Sequence, residues 1–140
     1  MKIFYTIFLL IFTILTGQSA WPFQIGEKLT YNVSFTGITA GQASLEVVND
    51  TVVTNSHQLH IRFNARTTFP FSSIYTINDQ VDTWLDSKYL YTKKLTKNIR
   101  EGNYKNDSYT IIDYDQSIAI TNGDTVIIEQ FLRDSCSLFY

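Results

Sequence analysis

The sequence predicts an all-β protein: a curved antiparallel sheet or partly open barrel, a meander, after an N-terminal signal-peptide helix. Apolar and polar residues alternate along successive segments, and short segments rich in turn residues separate them. Aromatic residues make up 15% of the chain, and ring and branched side chains pack well on a pleated surface. After residue 20 no stretch keeps a helical apolar period for three turns, so we expect no second helix.

Residues 1–20 have the three parts of a signal peptide. Lys2 supplies the positive charge, residues 3–15 form the apolar run, and residues 16–20 are small and polar. The run of about 13 residues is shorter than the roughly 20 that span a bilayer as a helix. We therefore expect cleavage, export to the periplasm or the extracellular space, and no permanent transmembrane span afterwards. A retained N-terminal anchor is the alternative.

Residues 21–140 are predicted to form a single antiparallel β domain, since they contain no linker or internal repeat. Cys136 is the only cysteine, so no internal disulfide can form. The formal charge of -2 argues against a nucleic-acid partner, which would call for clustered basic residues. The nearest basic cluster is expected to be the solvated face of a strand and contains Lys93, Lys94, Lys97 and Arg100.

The first predicted strand covers residues 28–35, which alternate cleanly. Its apolar side consists of Leu29, Tyr31, Val33 and Phe35. The elements expected next are a turn at 37–41, a strand at 43–47, a polar loop at 49–56 and a strand at 58–66 with an especially polar outer face.

Phe69-Pro70-Phe71 then interrupts the pattern, because proline cannot donate a hydrogen bond to a strand ladder. The remaining predicted strands are 74–84, 89–99, 104–114, 117–121 and 125–131. Asn122-Gly123, between the last two, is the strongest local hairpin signal in the chain.

The end of the sequence is unusually apolar, since it finishes on Leu138, Phe139 and Tyr140 whereas most C-termini are polar. We therefore expect the domain to lack C-terminal strands, which would cover the apolar face of the sheet. The alternative is that the aromatic end folds back into the core.

No set of residues has the spacing of a catalytic or metal site. His57 and His60 are three apart on a predicted strand, so they point to opposite faces, and both are expected at the surface. We expect no metal and no cofactor. A hydrolase with paired carboxylates is formally available, although nothing indicates the cleft that would raise one pKa. Its candidate acids are Asp79, Asp82, Asp86, Asp113 and Asp115.

Two segments near the start, Gly26-Glu27-Lys28-Leu29-Thr30-Tyr31 and Gly37-Ile38-Thr39-Ala40-Gly41-Gln42-Ala43, resemble the opening signature of a family of exported bacterial proteins, domain of unknown function 3108. Residues 77–83 resemble its central segment. Residues 134–140 resemble its Asp-x-x-Ser-x-x-Tyr element, with Ser135-Cys136 in place of the more usual Pro-Leu. The resemblance implies a Gram-negative envelope or secreted protein with a curved antiparallel sheet, in which further strands follow that element. It implies no catalytic residues.

Three functions stay open, and the oligomeric state is not indicated. The favoured one is a non-enzymatic envelope protein that binds an apolar or lipid-like ligand, or another envelope component, on a concave sheet face. Its candidate lining residues are Tyr31, Val33, Phe35, Phe63 and Trp84. Missing strands or a partner could instead cover that face. A glycan-binding or surface-interaction module is the second function, and a hydrolase is the third.

Overall fold

The computed structural model describes residues 23–53, 56–129 and 131–139, and these form one antiparallel sheet of eight strands. Each strand pairs with the next along the chain, so the sheet order is β1 to β8 and the topology is a meander. Within the described residues β1 and β8 do not pair, so the sheet is open. The predicted all-β fold is confirmed, and the predicted signal peptide lies outside the described residues.

The strands are β1 Lys28–Phe35, β2 Ile38–Val53, β3 Ser56–Thr67, β4 Asn78–Asp86, β5 Thr92–Glu101, β6 Tyr104–Asp113, β7 Ile118–Thr121 and β8 Asp124–Ile127. Two 3-10 turns accompany them, at Phe71–Ser73 and Ser137–Phe139.

The first hairpin turns more tightly than the sequence predicted. Thr36 and Gly37 have φ angles of 49° and 82°, as a two-residue type I′ turn requires, and β2 begins at the next residue. Gly41 therefore lies inside a strand rather than in the turn. A Cβ at Gly41 would lie 2.7 Å from the carbonyl oxygen of Arg66 in β3, so this strand position requires glycine.

The polar loop predicted at residues 49–56 is wrong. β2 continues to Val53 and β3 already begins at Ser56, with a bulge between Val47 and Asn49. The polar residues of this stretch are paired in the ladder, for example Asp50 with Leu59. Cross-strand pairing outweighs the weak local preference of polar residues for loops.

The largest remaining differences are at three strand ends. β4 begins at Asn78 rather than at residue 74, after the 3-10 turn at Phe71–Ser73, and β5 begins at Thr92 rather than at residue 89. β8 ends at Ile127, four residues before the predicted end. The hairpin at Asn122-Gly123 is confirmed, with φ angles of 51° and 100°.

The register assigns every strand residue to one of two faces, because directly paired residues in an antiparallel ladder share a face. The apolar face carries the core, which consists of Leu45, Val47, Leu59, Ile61 and Leu85 together with Phe23 and Cys136 from outside the strands. The polar face is the opposite side, where Glu46 pairs with Arg62 and Arg62 with Asp82.

Candidate functional site

The open part of the apolar face lies over β1 to β3. A depression of about 220 Å³ lies there, the apolar depression, lined by Tyr31, Ala43, Leu45 and Phe63. The register brings these residues together, since Tyr31 pairs with Ala43 and Leu45 pairs with Phe63. Ala43 has a side chain of one carbon, which leaves space between its larger neighbours. This arrangement offers an apolar chain a place to bind without hydrogen bonds.

The structure places the five predicted lining residues unequally. Tyr31 and Phe63 line the apolar depression, and Val33 follows Tyr31 on the same side of β1. Phe35 lies beyond a bulge and packs edge-on against Phe71, with ring centroids 6.3 Å apart. Trp84 lies on the polar face, because it pairs with His60 rather than with an apolar-face residue. Three of the five residues are thus on β1, Phe63 is on the same face of β3, and Trp84 is separate.

The other part of the apolar face is covered by residues 131–139, the C-terminal segment. Its central residue is Asp134, whose Oδ2 accepts hydrogen bonds from the hydroxyls of Thr83 and Thr92, both at 2.6 Å. Its Oδ1 accepts hydrogen bonds from the backbone N–H groups of Cys136 and Ser137, at 2.7 and 3.1 Å. One carboxylate therefore organises the segment and fastens it to β4 and β5.

The start of the C-terminal segment is held by aromatic rings. The ring of Tyr91 lies 4.7 Å from Tyr114 and 5.8 Å from Phe131, both in edge contact. The Tyr114 hydroxyl donates a hydrogen bond to the carbonyl oxygen of Thr92 at 2.7 Å. Burial raises the pKa of Tyr114 to about 12, so this hydroxyl stays protonated and can donate the hydrogen bond.

Cys136 is carried into the core by this segment. It is 6% exposed, and burial, aided by the charge of Asp134, raises the pKa of its thiol to about 12. The thiol is therefore protonated at neutral pH, as an unreactive core side chain. The alternative that the aromatic end folds back into the core stays a prediction, because Leu138 is 69% exposed and the side chains of Phe139 and Tyr140 lie outside the described part of the chain.

The polar face contains a buried carboxylate, Asp82. Its Oδ1 accepts hydrogen bonds from His60 Nε2 at 2.5 Å and Arg62 Nε at 2.8 Å, and its Oδ2 accepts one from Gln80 Nε2 at 2.6 Å. Burial raises the pKa of Asp82, but the hydrogen bonds from Gln80, Arg62 and His60 outweigh burial and lower it below the usual value. Asp82 is thus held as a charged acceptor.

The expected surface position of His60 is wrong, whereas His57 is exposed as predicted. The imidazole of His60 stacks on Trp84 of the next strand, with centroids 4.4 Å apart and planes 8° apart. The Trp84 ring covers the imidazole of His60, and the hydrogen bond to Asp82 holds it in this buried position. Sequence alternation alone placed His60 on the correct face, but only the register with β4 brings Trp84 over it.

The basic residues of β5 do not form one solvated face as predicted. The Lys94 ammonium lies 4.0 Å from the Trp84 ring centre and 5.2 Å from that of Tyr109. Lys93 lies 4.8 Å from the Tyr91 ring centre, and Arg100 forms an ion pair with Asp107. Each of these cations is occupied by a ring or a carboxylate of a neighbouring strand.

Beside Asp82, the polar face presents three cross-strand rows from β4 through β5 to β6. The register defines them as Gln80–Asn98–Asp107, Asp82–Thr96–Tyr109 and Trp84–Lys94–Ile111. A depression of about 400 Å³, the polar depression, lies over the first two rows. A second depression of about 320 Å³ lies over the third, and Tyr109 lines both. Sequence reasoning missed Tyr109 and Asn98, because which residues stand side by side depends on the pairing of three strands.

Two of the aspartates considered for hydrolysis, Asp86 and Asp113, accept local hydrogen bonds in turns. Asp86 Oδ1 accepts hydrogen bonds from the N–H groups of Lys88 and Tyr89, and Asp113 Oδ1 accepts them from Asp115 and Gln116, as turn aspartates commonly do.

The two aspartates of the central segment are separated by the sheet. The register places Asp79 on the side of the apolar face and Asp82 on the polar face, so the two do not form a pair. The oxygen Oδ1 of Asp79 accepts a hydrogen bond from the backbone N–H of Arg100.

Two features are absent from the part of the chain that the structure describes, a cluster of metal-binding side chains and a membrane-spanning helix. The described residues contain no group of three or more His, Cys, Asp and Glu side chains arranged to hold a metal ion. They also contain no helix with the length and apolar character needed to cross a membrane.

Comparison with known proteins gives one match. A family model described as "Protein of unknown function (DUF3108)" matches residues 30–129, from β1 to just beyond β8. No curated protein and no solved structure matches. The matched region contains the Gly37–Gly41 signature, the central segment 77–83 and the lining of all three depressions.

Proposed function

The chain belongs to the DUF3108 family of proteins of unknown function, and on that premise we propose that it is an exported envelope protein that binds an apolar chain without chemically changing it. The ligand is the acyl chain of a lipid or lipopeptide. The apolar depression between β1 and β3 carries the proposal, and export rests on the signal-peptide pattern of residues 1–20.

The surroundings of the apolar depression support binding there. Along the same side of β1, Tyr31 and Val33 are 50% and 55% exposed, and Phe35 at the end of the strand is 64% exposed. Single exposed apolar residues are common, but a contiguous exposed apolar row is a feature of binding surfaces. An acyl chain laid along β1 would remove these side chains from water.

The volume of the apolar depression limits what it holds. Pockets for whole small-molecule ligands usually measure roughly 300–1,000 Å³, so about 220 Å³ suits a segment of a chain. Burial of a methylene contributes about 0.8 kcal/mol, so about five of them contribute about 4 kcal/mol, which alone corresponds to millimolar binding. Tighter binding therefore requires contacts beyond the depression, with Val33 and Phe35.

The proposal is tested by titrating the protein with the fluorescent apolar probe N-phenyl-1-naphthylamine and displacing the probe with lauric acid. Tyr31→Asp places a charge at the rim of the apolar depression and is expected to weaken probe binding at least tenfold. Tyr104→Asp is the matched control, because Tyr104 is similarly exposed, at 55%, but lies on β6. Circular dichroism checks that both variants fold.

Two results would contradict apolar binding. One is a protein that gives no fluorescence enhancement that lauric acid can displace. The other is equal probe affinity in the Tyr31→Asp variant and the Tyr104→Asp control.

A further inference from the structure

We propose that the polar face carries a second, separate binding site, for an oligosaccharide, centred on Tyr109. The site comprises the polar depression and the Tyr109 ring at its border. It lies on the opposite side of the sheet from the apolar depression, so it does not depend on the proposed function.

The position within the sheet limits how a ligand could bind here. The polar depression lies over β4, β5 and β6, and β4 and β5 are paired on both sides. β7 pairs with β6 only from Thr110 onward, but before that point Asn122 binds the N–H and carbonyl groups of Tyr109 and the carbonyl of Asp107. Because these backbone groups are already used, we expect a ligand to be recognised by side chains rather than as an added strand.

Those side chains have the functional groups that recognise sugar hydroxyls. The polar depression presents the amides of Gln80 and Asn98, the hydroxyl of Thr96 and the carboxylate of Asp107. Amides both donate and accept hydrogen bonds, as sugar hydroxyls do. At about 400 Å³, the depression has the size of a small-molecule site.

Tyr109 supplies the apolar surface that a sugar ring also needs. Its side chain is on the border between the two depressions of the polar face, and the residue is 44% exposed. A pyranose ring has an apolar C–H side and hydroxyl groups around its edge. Stacked on Tyr109, it would direct its edge toward Asn98 and Gln80. The Trp84 ring of the neighbouring depression is already stacked by His60 and contacted by Lys94, so it reports on binding nearby rather than offering a second stacking surface.

The groups of this site are held in place before a ligand binds. The Gln80 amide donates to the buried Asp82, and Asp107 forms an ion pair with Arg100 at 2.8 Å. Asn122 accepts a hydrogen bond from the backbone N–H of Tyr109 and donates one to the carbonyl oxygen of Asp107. Groups fixed in this way lose little conformational freedom on binding.

The charges of the site favour a saccharide over a polyanion. Asp82, Asp107 and Lys97 line the polar depression, and each carboxylate already has an arginine partner, Arg62 and Arg100 respectively. Lys94 is placed against two rings rather than toward the polar depression. A nucleic acid or sulfated polymer would therefore meet two carboxylates and one lysine rather than a cationic cluster.

The test uses nuclear magnetic resonance of the ¹⁵N-labelled protein with cellohexaose, maltohexaose, chitohexaose and, as a polyanion, dextran sulfate. We expect at least one neutral hexasaccharide to shift the Trp84 indole signal and the side-chain amide signals of Gln80 and Asn98. Tyr109→Ala should weaken that binding at least tenfold, whereas Tyr109→Phe, which keeps the ring, should bind within about threefold of the native protein. Tyr31→Asp should leave it unchanged.

Three results would overturn the saccharide site: no shift of these signals with any neutral hexasaccharide, the same affinity in Tyr109→Ala, or shifts with dextran sulfate alone. The two proposals fail separately, because Tyr31→Asp affects only the apolar depression and Tyr109→Ala affects only the polar face.

Discussion

The apolar face has two parts that look alike in the sequence and differ in the structure. Under the C-terminal segment, Val47, Ile61 and Leu85 are completely buried. Over β1, Leu29 is 36% exposed and Tyr31 is 50% exposed, although the alternation there is equally regular. The difference is whether a segment from outside the strands lies on the face. Alternation thus identifies an apolar side, and the covering segment decides whether it is core or open surface.

The covering depends on polar chemistry rather than on apolar contact alone. Asp134 receives two hydroxyl and two backbone hydrogen bonds, and it brings Cys136 onto the core. The open part contains no comparable anchor among the described residues. We expect the two parts to respond very differently to equivalent substitutions.

The largest contrast is expected between two leucines. Leu85→Ala removes a completely buried side chain and should lower the free energy of unfolding by about 3 kcal/mol, since a cavity remains. Leu29→Ala on β1 should cost less than about 1 kcal/mol, because much of that side chain is already in water. Urea unfolding followed by circular dichroism measures both. Similar losses in the two variants would show that the open part is covered in solution.

A smaller effect is expected from substitution of Asp134, the residue that fastens the C-terminal segment. Asp134→Ala leaves the Thr83 and Thr92 hydroxyls without their carboxylate acceptor and should cost about 2 kcal/mol, because hydrogen bonds to charged groups are the stronger ones. Asp115→Ala, at an exposed turn, is the control and should change stability by less than about 0.5 kcal/mol. If the two variants unfold at the same urea concentration, Asp134 does not fasten the segment.

The smallest effect is measured at the Cys136 thiol. Its reactivity should differ between the folded and the unfolded protein, although the cysteine itself is not substituted. The pKa of this thiol is higher in the folded than in the unfolded protein. Burial of the neutral thiol therefore stabilises the fold fully at pH values below the pKa of the unfolded protein, and this stabilisation is lost as pH rises toward 12. At pH 8, labelling by a disulfide reagent should therefore be at least about a hundredfold slower than in urea.

Asp134→Ala should speed this labelling about thirtyfold, the factor that corresponds to about 2 kcal/mol of easier opening. Asp115→Ala provides the reference rate. Rapid labelling of the native protein would show that the C-terminal segment does not hold the thiol in the core.

The errors in the sequence interpretation have a common physical origin. Trp84 was grouped with the apolar residues of β1 by its character, yet its neighbours Val81 and Thr83 alternate onto the apolar face and leave Trp84 on the other. Alternation within β4 was therefore the signal that could have placed it. The burial of His60 had no such local signal, because it depends on a ring supplied by another strand.

The sequence by itself determined the all-β class, the order of strands and the Asn122-Gly123 hairpin. These follow from alternation and turn chemistry, which act between residues close in the chain. Only the tertiary structure decided that β2 and β3 are long, that Asp134 fastens the C-terminal segment and that Tyr109 borders the polar depression. Each of these depends on register and contacts between distant residues, where pairing outweighs local preference.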